Sequence, residues 1–283
     1  MEYLVHRGKR IPIIGYGTWC VGDDPAKHDS EVETILYAIS EYGITLIDTA
    51  EMYGCGNSEL LISDVIKKNV RENLFIVDKI LPENAMSGNY EDCVRKSIKR
   101  LNCQYIDLYL LHWKSDVNLQ NMVDSMEQLV EKKLIKNWGV SNFDVDEMDE
   151  LWRCEKGNHC FANQVLYNVS ERGIEYDLLD WCVNHNVLVM AYSVLGDCKE
   201  LQTEILKSPT LLEIAKRHNV SSFNIMLRFV IRERNIVALM KTSSKEHLNE
   251  NMKDVWIPLL GSDMEILDKD FPAPLNKIDL HKI

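Results

Sequence analysis

The sequence predicts an α/β fold, a single (β/α)₈ barrel of the TIM type, from three observations. Eight short apolar runs alternate with amphipathic segments along the whole chain, which is typical of βα units that close a parallel sheet. A length of 283 residues is ordinary for one such barrel. Apolar residues make up 46% of the chain, enough for a large core, and no linker or low-complexity segment interrupts them. We therefore expect one domain over residues 1–283.

The individual elements follow from the spacing of the apolar residues. The first ten residues, with Gly8 at a turn, predict a small hairpin that closes the bottom of the barrel. Strands are predicted at residues 13–17, 44–48, 74–78, 105–111, 136–140, 162–167, 187–192 and 235–240. Helices are predicted near residues 30–42, 58–68, 90–101, 118–133, 144–154, 175–186, 208–219 and 245–253, with further helices at 220–232 and 262–269 before a short C-terminal tail. Helix start signals support several of them, among them Ser30, Asn118 and Ser208.

Composition argues against several classes of protein. Forty-four acidic residues against 32 Lys and Arg give a net charge of −12, and no basic cluster is long enough to follow nucleic-acid phosphates. No apolar run reaches 18 residues and the amino end has no signal-peptide pattern, so we expect a cytoplasmic protein without a membrane span. The eight cysteines indicate reduced thiols, and Cys154, His159 and Cys160 have no second ligand pair, so no metal is predicted.

Four residues suited to proton chemistry follow three successive apolar runs. Asp48 and Tyr53 come after ITLI, Lys79 after LFIV, and His112 after IDLYLL. In a (β/α)₈ barrel the catalytic groups lie at the carboxyl ends of several strands, on one shared face. Each residue alone has an ordinary structural interpretation, as packing, a solvated charge or a turn cap. The combination is what predicts a site.

The four residues suit acid–base work on a carbonyl group. A buried Lys79 needs a partner such as Asp48, and its charge is expected to draw the pKa of Tyr53 below the ordinary value of about 10. Such a tyrosine can protonate a carbonyl oxygen, and His112 can donate a hydrogen bond to the same oxygen. None of these groups transfers a hydride, so a redox cofactor is required.

A glycine-rich segment after the second strand resembles a dinucleotide fingerprint, but one position argues against it. The segment runs from Gly54 to Glu59, with Asp78 about twenty residues on. Glu59 stands at the third glycine position, where a bulky acid hinders packing and repels pyrophosphate. We interpret the segment as a βα loop and expect any nucleotide to bind elsewhere.

Ordered motifs along the chain resemble those of the aldo-keto reductase family, most closely its short bacterial NADPH-dependent members. The motifs extend from about residue 10 to about residue 255. They are GYGTW (15–19), IDTAEMYG (47–54), NSE (57–59), VDKI (77–80), LYLLHW (108–113), WGVSNF (138–143), NQVLYN (163–168), AYS (191–193) and MKTSSKEHLNEN (240–251). The resemblance implies a barrel that uses NADPH without a Rossmann domain, with NADH as a possible substitute.

The resemblance also implies roles for individual positions. The catalytic tetrad would be Asp48, Tyr53, Lys79 and His112. Residues expected around the nicotinamide and pyrophosphate are Ser141, Asn142, Gln164, Tyr192, Ser193, Leu195 and Asp197. Residues expected around the 2′-phosphate and adenine are Lys241, Thr242, Ser244, His247, Glu250 and Asn251. The apolar substrate mouth would be lined by Trp19, Met52 and Trp113, although packing at the barrel rim explains both tryptophans equally well.

Three positions depart from the family pattern. His247 replaces a usual arginine, which weakens the expected preference for NADPH because a histidine with a pKa near 6.5 is mostly neutral at pH 7. Asp78 precedes the catalytic lysine in place of a small hydroxyl residue, and we expect little effect because strand alternation points it away from Lys79. The segment 191–198 lacks a usual proline, which leaves the pyrophosphate loop less rigid.

The predicted function is reduction of aldehydes or ketones to alcohols by hydride transfer from NADPH, with Tyr53 as the general acid. Two alternatives remain open: NAD-dependent oxidation of an alcohol or sugar, and a nucleotide-binding regulatory barrel in which turnover is incidental. The expected partner is a small-molecule carbonyl substrate, with no nucleic acid and no membrane. We expect a monomer or a weak homo-oligomer.

Overall fold

Eight parallel strands close into a barrel in the computed structural model, which describes residues 1–196, 199–233 and 235–282, with the side chains of 199–201 left out. A hairpin of β1 (Tyr3–His6) and β2 (Lys9–Pro12) precedes the barrel. The barrel strands are β3 (Ile14–Gly17), β4 (Leu46–Asp48), β5 (Phe75–Ile80), β6 (Leu108–Leu111), β7 (Trp138–Ser141), β8 (Ala162–Leu166), β9 (Leu188–Tyr192) and β10 (Ile236–Met240). Each pairs with its neighbours in the chain, and β10 closes on β3. The predicted (β/α)₈ barrel and its hairpin are confirmed.

Helices connect the strands and cover the outside of the barrel. Their bounds are α1 (His28–Tyr42), α2 (Asn57–Lys67), α3 (Pro82–Met86), α4 (Tyr90–Leu101), α5 (Leu119–Glu131), α6 (Val145–Arg153), α7 (Leu178–Asn184), α8 (Lys199–Leu206), α9 (Pro209–His218), α10 (Ser222–Ile231), α11 (Lys245–Met252) and α12 (Gly261–Asp270). The short α3 and the helix α8 were not predicted. No helix among the described residues is long and apolar enough to cross a bilayer.

Two of the three predicted start signals act as helix caps. The side chain of Asn118 accepts the backbone N–H of Asn121 at 3.0 Å, and that of Ser208 accepts the N–H of Leu211 at 3.2 Å. Ser30 is wrong as a start, because α1 already begins at His28 and the Ser30 hydroxyl donates to the Lys27 carbonyl at 2.8 Å. A 3₁₀ turn capped by Asp24 leads directly into α1, so the helix begins before Ser30.

The hairpin seals the amino-terminal end of the barrel. Gly8 makes its turn with a φ of 76°, a conformation that glycine adopts without strain. The His6 imidazole lies 3.0 Å from the Phe161 carbonyl at the start of β8, and Arg7 donates to the His159 carbonyl at 2.9 Å. These contacts hold the hairpin across the strand starts. The open face of the barrel is therefore the carboxyl-terminal one.

Two apolar layers hold the barrel together. One fills its interior with side chains such as Leu46, Val77 and Leu110, all fully buried. The other lies between the strands and the helices, where α4 contributes buried residues at helical spacing, Val94 and Leu101 among them. At Gly139 in β7 an added Cβ would lie 2.3 Å from the Ala162 carbonyl oxygen, so only glycine allows this approach to β8.

Candidate active site

The four predicted catalytic groups meet at the open end of the barrel. The Lys79 ammonium, fully buried, lies 2.8 Å from Asp48 Oδ2, 3.0 Å from Tyr53 Oη and 2.7 Å from the Thr49 carbonyl oxygen. The His112 ring lies 5.9 Å from the Tyr53 ring, centroid to centroid. An ammonium has three donors, and all three have acceptors here. Lys79 is thus held in one position against the phenol.

The backbone after β4 explains how Tyr53 reaches Lys79. Strand β4 ends at Asp48, and the chain then turns through a 3₁₀ segment, Tyr53–Gly56. Gly54 and Cys55 within it have φ values of 56° and 53°, in the left-handed region. The turn lets the phenol lie over the strand ends, where it is only 8% exposed. The glycine-rich segment therefore determines where the Tyr53 phenol lies.

Burial governs the protonation of the phenol, contrary to the expectation from charge. Desolvation raises the pKa of Tyr53 above its ordinary value even though the Lys79 cation lowers it. The expected pKa below 10 is therefore wrong in this structure. The cost of placing a phenolate in a buried site outweighs the neighbouring charge of Lys79. At neutral pH the phenol holds its proton.

The other three groups also respond to burial. Desolvation raises the pKa of Asp48, against the opposing effects of Lys79 and Gln164. Burial alone would lower the pKa of Lys79, but Asp48 and Tyr53 outweigh it and raise the pKa. Burial and the Lys79 charge lower the pKa of His112 to about 3, so this imidazole is neutral at physiological pH. Its Nδ1 atom is buried without a hydrogen-bond partner.

Four residues predicted to hold the nicotinamide form a network with the tetrad. Gln164 Nε2 donates to Asp48 Oδ1 at 2.7 Å, and the Ser141 hydroxyl donates to the Gln164 carbonyl at 2.8 Å. Asn142 Nδ2 donates to the His112 carbonyl at 3.2 Å. The Tyr192 hydroxyl donates to Asn142 Oδ1 at 2.8 Å. These contacts fix the orientation of the amide groups at the base of the site.

A cavity of about 430 Å³ opens above the tetrad. Trp19 and Met52 line it as predicted, and the Trp19 ring is 51% exposed at its mouth. Trp113 is not among its described lining residues and instead packs on His112, with ring centroids 5.0 Å apart. Of the residues predicted for the cofactor, those that line the cavity are Ser141, Asn142, Gln164, Tyr192, Ser193, Leu195 and Lys241.

Several lining residues were not predicted. Leu239 comes from β10, and Gln202 comes from α8, where its side-chain amide donates to the Leu195 carbonyl at 2.7 Å. The amphipathic pattern of residues 199–206 is the signal that would have found this helix. The predicted residue Asp197 lies outside the described part of the chain.

The remaining predicted cofactor residues cluster at the end of β10 and on α11. Ser244 caps α11, accepting the His247 backbone N–H at 3.4 Å and donating its hydroxyl to Glu246 at 2.6 Å. Thr242 is buried, and Glu250 and His247 lie on the exposed surface of α11. Asn251 is 3% exposed, and its Oδ1 atom has no partner. A helix start beside Lys241 favours an anion, and the unpaired Asn251 oxygen suits a donor such as an amino group.

Comparison with known proteins agrees with this geometry. The model of the Aldo/keto reductase family matches residues 13–270. The chain belongs to the aldo/keto reductase family. Membership makes it an NAD(P)H-dependent oxidoreductase.

Relatives of this aldo/keto reductase include bacterial reductases of small dicarbonyl compounds. The methylglyoxal reductase YeaE of Escherichia coli is 39% identical over 273 residues, which are 96% of this chain and 95% of the relative. The glyoxal reductase of Bacillus subtilis is 28% identical over 93% of this chain and 90% of its own length. The crystal structure of an aldo/keto reductase from Klebsiella pneumoniae in complex with NADP and acetate is 36% identical, with a TM-score of 0.95 over 99% of both chains.

Proposed function

We propose that this protein reduces small, uncharged aldehydes and ketones with NADPH, with Tyr53 as the general acid. The observation that carries the proposal is the 3.0 Å contact between the Lys79 ammonium and the Tyr53 hydroxyl beneath an accessible cavity. Burying the Lys79 cation is costly. Proton transfer by the adjacent phenol is a function that explains why a fully buried lysine lies there. The cavity offers the space for the carbonyl group.

The residues around the cavity fit NADPH, which would supply the hydride when bound. Ser141, Asn142 and Gln164 would hold the carboxamide of the nicotinamide, and the Tyr192 ring would form one wall beside it. Lys241 and the start of α11 would bind the 2′-phosphate, and Asn251 the adenine. No metal is needed, because Tyr53 and His112 provide the hydrogen-bond donors.

Proton transfer follows from the state of the phenol. Because the Tyr53 phenol is protonated at neutral pH, it can donate a hydrogen bond to the substrate carbonyl oxygen. As negative charge develops on that oxygen, its basicity exceeds that of the phenolate and the proton moves to it. The Lys79 ammonium then stabilises the phenolate, and Asp48 keeps the ammonium in place. His112, neutral, would orient the carbonyl with its second nitrogen.

The lining of the cavity indicates which carbonyl compounds fit. Trp19, Met52 and Leu239 are apolar. Among the described lining residues the single cation is Lys241, which the proposal assigns to the cofactor. A substrate carboxylate would thus be desolvated without a paired cation, at a cost of several kcal/mol. Uncharged carbonyl compounds are favoured for this reason.

One observation favours NAD(H) as the cofactor, as in the second candidate function, NAD-dependent alcohol oxidation. Glu246 lies at the start of α11 and accepts the Ser244 hydroxyl, the group predicted for the 2′-phosphate. A carboxylate at this position repels a phosphate, and His247 adds no permanent charge. Both features reduce the advantage of NADPH over NADH. The cytoplasmic location, the monomeric or weakly oligomeric state and the absence of a nucleic-acid partner stay predictions.

The proposed function is tested by a turnover assay with both cofactors on a panel of substrates. The panel contains glyoxal, methylglyoxal, benzaldehyde, a ketone and an aldose, with glyoxylate and pyruvate as charged counterparts. We expect turnover with NADPH on the neutral aldehydes and a kcat/KM at least tenfold lower on the charged ones. Absence of turnover on every neutral carbonyl compound, with NADPH bound, would favour the regulatory interpretation.

A further inference from the structure

Asp78 lies directly behind the catalytic lysine, on the outer face of β5. Its side chain is fully buried, in the layer that also contains Glu59 of α2, Arg100 of α4 and Tyr109 of β6. Asp78 pairs with Tyr109 in the strand register. Arg100 is already paired with Glu59, at 2.6 Å. Among the described residues, Asp78 forms no ion pair, although the charges of Arg100 and Lys79 act on it.

The partner of Asp78 is the backbone of Lys79. Asp78 Oδ1 accepts the Lys79 N–H at 2.8 Å, while Asp78 Oδ2 and the Tyr109 hydroxyl are buried without partners. Burial raises the pKa of Asp78 well above its ordinary value, and the Glu59 charge raises it further. A protonated acid keeps one oxygen free to accept. The contact with Lys79 therefore persists whether or not Asp78 is ionised.

This contact replaces a bond that the β4–β5 ladder would otherwise make. The Phe75 N–H donates to the Thr45 carbonyl at 2.9 Å. In a parallel pair such bonds recur at every second residue, so the regular pattern would pair the Lys79 N–H with the Thr49 carbonyl. That carbonyl instead accepts the Lys79 ammonium at 2.7 Å. The Lys79 N–H, left without a ladder partner in a buried position, takes the Asp78 oxygen.

We propose that Asp78 is a positioning residue for the catalytic lysine: by accepting the Lys79 backbone N–H it leaves the Thr49 carbonyl free to hold the ammonium against Tyr53. The proposal rests on the acceptor oxygen at this position. The charge of Asp78 raises the pKa of Tyr53, so losing the charge and losing the acceptor would shift that pKa in opposite directions. The inference departs from the small effect expected from sequence. Side chains on opposite faces of a strand do not touch, but here the contact runs through the backbone that they share.

The experiment compares variants of Asp78 that differ in the acceptor. Asp78→Asn keeps an acceptor oxygen and removes the charge, whereas Asp78→Val fills the space and removes the acceptor. The control is Asp107→Asn, because Asp107 accepts the Ile76 N–H at 3.0 Å at the other end of β5. Three quantities are measured for each: kcat and KM for reduction, and the apparent pKa of kcat for alcohol oxidation. Thermal melting checks that each variant is folded.

For Asp78→Val we expect kcat to fall about tenfold with KM for NADPH unchanged, and the apparent pKa of oxidation to rise by about one unit, since one unit corresponds to a tenfold change. Asp78→Asn should stay within about twofold of the wild type in both quantities, and so should Asp107→Asn. A wild-type pH profile and kcat in Asp78→Val would overturn the proposal. An Asp78→Asn enzyme as impaired as Asp78→Val would also overturn it, because the charge would then be the active feature.

The inference rests on the proposed function, and Lys79→Met separates the two. If Lys79→Met retains wild-type turnover, the proposed role of Lys79 fails whatever Asp78 does. If Lys79→Met is impaired and Asp78→Val is not, only the inference about Asp78 fails.

Combining the two changes should add nothing to the loss seen in Lys79→Met, because Asp78 acts through that side chain. Additive losses in the double variant would count against the inference. Should Asp78→Val not fold, Asp78→Ala replaces it in every comparison.

Discussion

The two ends of β5 use the same kind of contact for different purposes. At the amino end Asp107 Oδ2 accepts the Ile76 N–H at 3.0 Å, and the carboxylate is paired with Arg71 at 2.8 Å and Lys136 at 3.0 Å. At the carboxyl end Asp78 accepts one N–H, and it forms no ion pair within the described part of the chain. The carboxylate at the amino end is thus paired with two cations, and these ion pairs stabilise the barrel. The buried cation at the carboxyl end, Lys79, is instead paired with Asp48 and contacts the Tyr53 hydroxyl.

Two buried histidines show the same contrast. Burial lowers the pKa of His6 to about 4, and the imidazole contacts the Phe161 carbonyl at the closed end. Burial also lowers the pKa of His112, to about 3, but its Nδ1 has no partner and its ring faces the cavity. A perturbed pKa alone therefore does not distinguish a structural from a functional histidine. The position of the His112 ring beside the cavity is what sets it apart from His6.

The largest expected effect of a substitution is at the open end. Tyr53→Phe deletes the transferable proton, so we expect kcat to fall about 10²–10⁴-fold with little change in NADPH affinity. The matched control is Tyr109→Phe, which removes a buried hydroxyl that has no partner. Steady-state kinetics and cofactor titration measure both variants. A Tyr53→Phe enzyme with wild-type kcat on a good substrate would refute the assigned role.

A substitution at the closed end of the barrel is expected to change stability and leave activity unaffected. Asp107→Ala removes the carboxylate that pairs with Arg71 and leaves the Ile76 N–H without its acceptor. Arg71 keeps its bonds to the Leu74 and Tyr105 carbonyls, and we expect a loss of about 3 kcal/mol in the free energy of unfolding. Because Asp107 is remote from the cavity, kcat should stay within about twofold. Denaturant unfolding and kinetics on the same preparation test this. A tenfold drop in kcat at unchanged stability would remove the distinction between the two ends.

The closed end also predicts a pH effect on stability. His6 has its pKa lowered to about 4 in the folded state, against an ordinary value of 6.5, so the unfolded chain binds more protons below pH 6.5. Stability from this group is present above pH 6.5 and is lost as pH falls towards 4. Relative to His6→Gln, the wild type should lose about 1–2 kcal/mol between pH 7.5 and pH 5. Parallel stability curves for the two proteins would show that His6 is not buried as described.

The smallest expected effect concerns cofactor preference. His247→Arg adds a permanent charge and a bidentate donor on α11, beside the expected position of the 2′-phosphate. We therefore expect NADPH binding to tighten several-fold and NADH binding to stay unchanged. His281→Arg, on the exposed tail, controls for added charge. Equal shifts in Kd for both cofactors would show that residue 247 is remote from the 2′-phosphate.

Much of the architecture could be predicted because it depends on local pattern. Apolar runs at strand spacing locate all eight barrel strands to within a few residues, and the barrel topology then brings Asp48, Tyr53, Lys79 and His112 together. Both results need only the periodicity of the chain and the rule that strand ends share a face.

What could not be predicted depends on distances that no pattern encodes. The pKa of Tyr53 rises because the phenol is desolvated, and the extent of burial is a property of the folded site. The Trp113 ring packs on His112 and does not line the cavity. Gln202 lines the cavity from a helix whose position does not follow from the ends of the strands. The contact of Asp78 runs through the backbone, and alternation of side chains describes only their directions.

We propose that Lys79 acts on Tyr53 as a cation, and this effect can be measured in the pH profile of NADP⁺-dependent alcohol oxidation. Oxidation requires the phenolate, so removing the cation in Lys79→Met should raise the apparent pKa of kcat by about 1–3 units. Lys136→Met, which removes a cation paired with Asp107 at the closed end, should leave that pKa unchanged. An apparent pKa in Lys79→Met equal to that of the wild type, in a folded enzyme that binds the cofactor, would show that Lys79 does not act on the phenol as a cation.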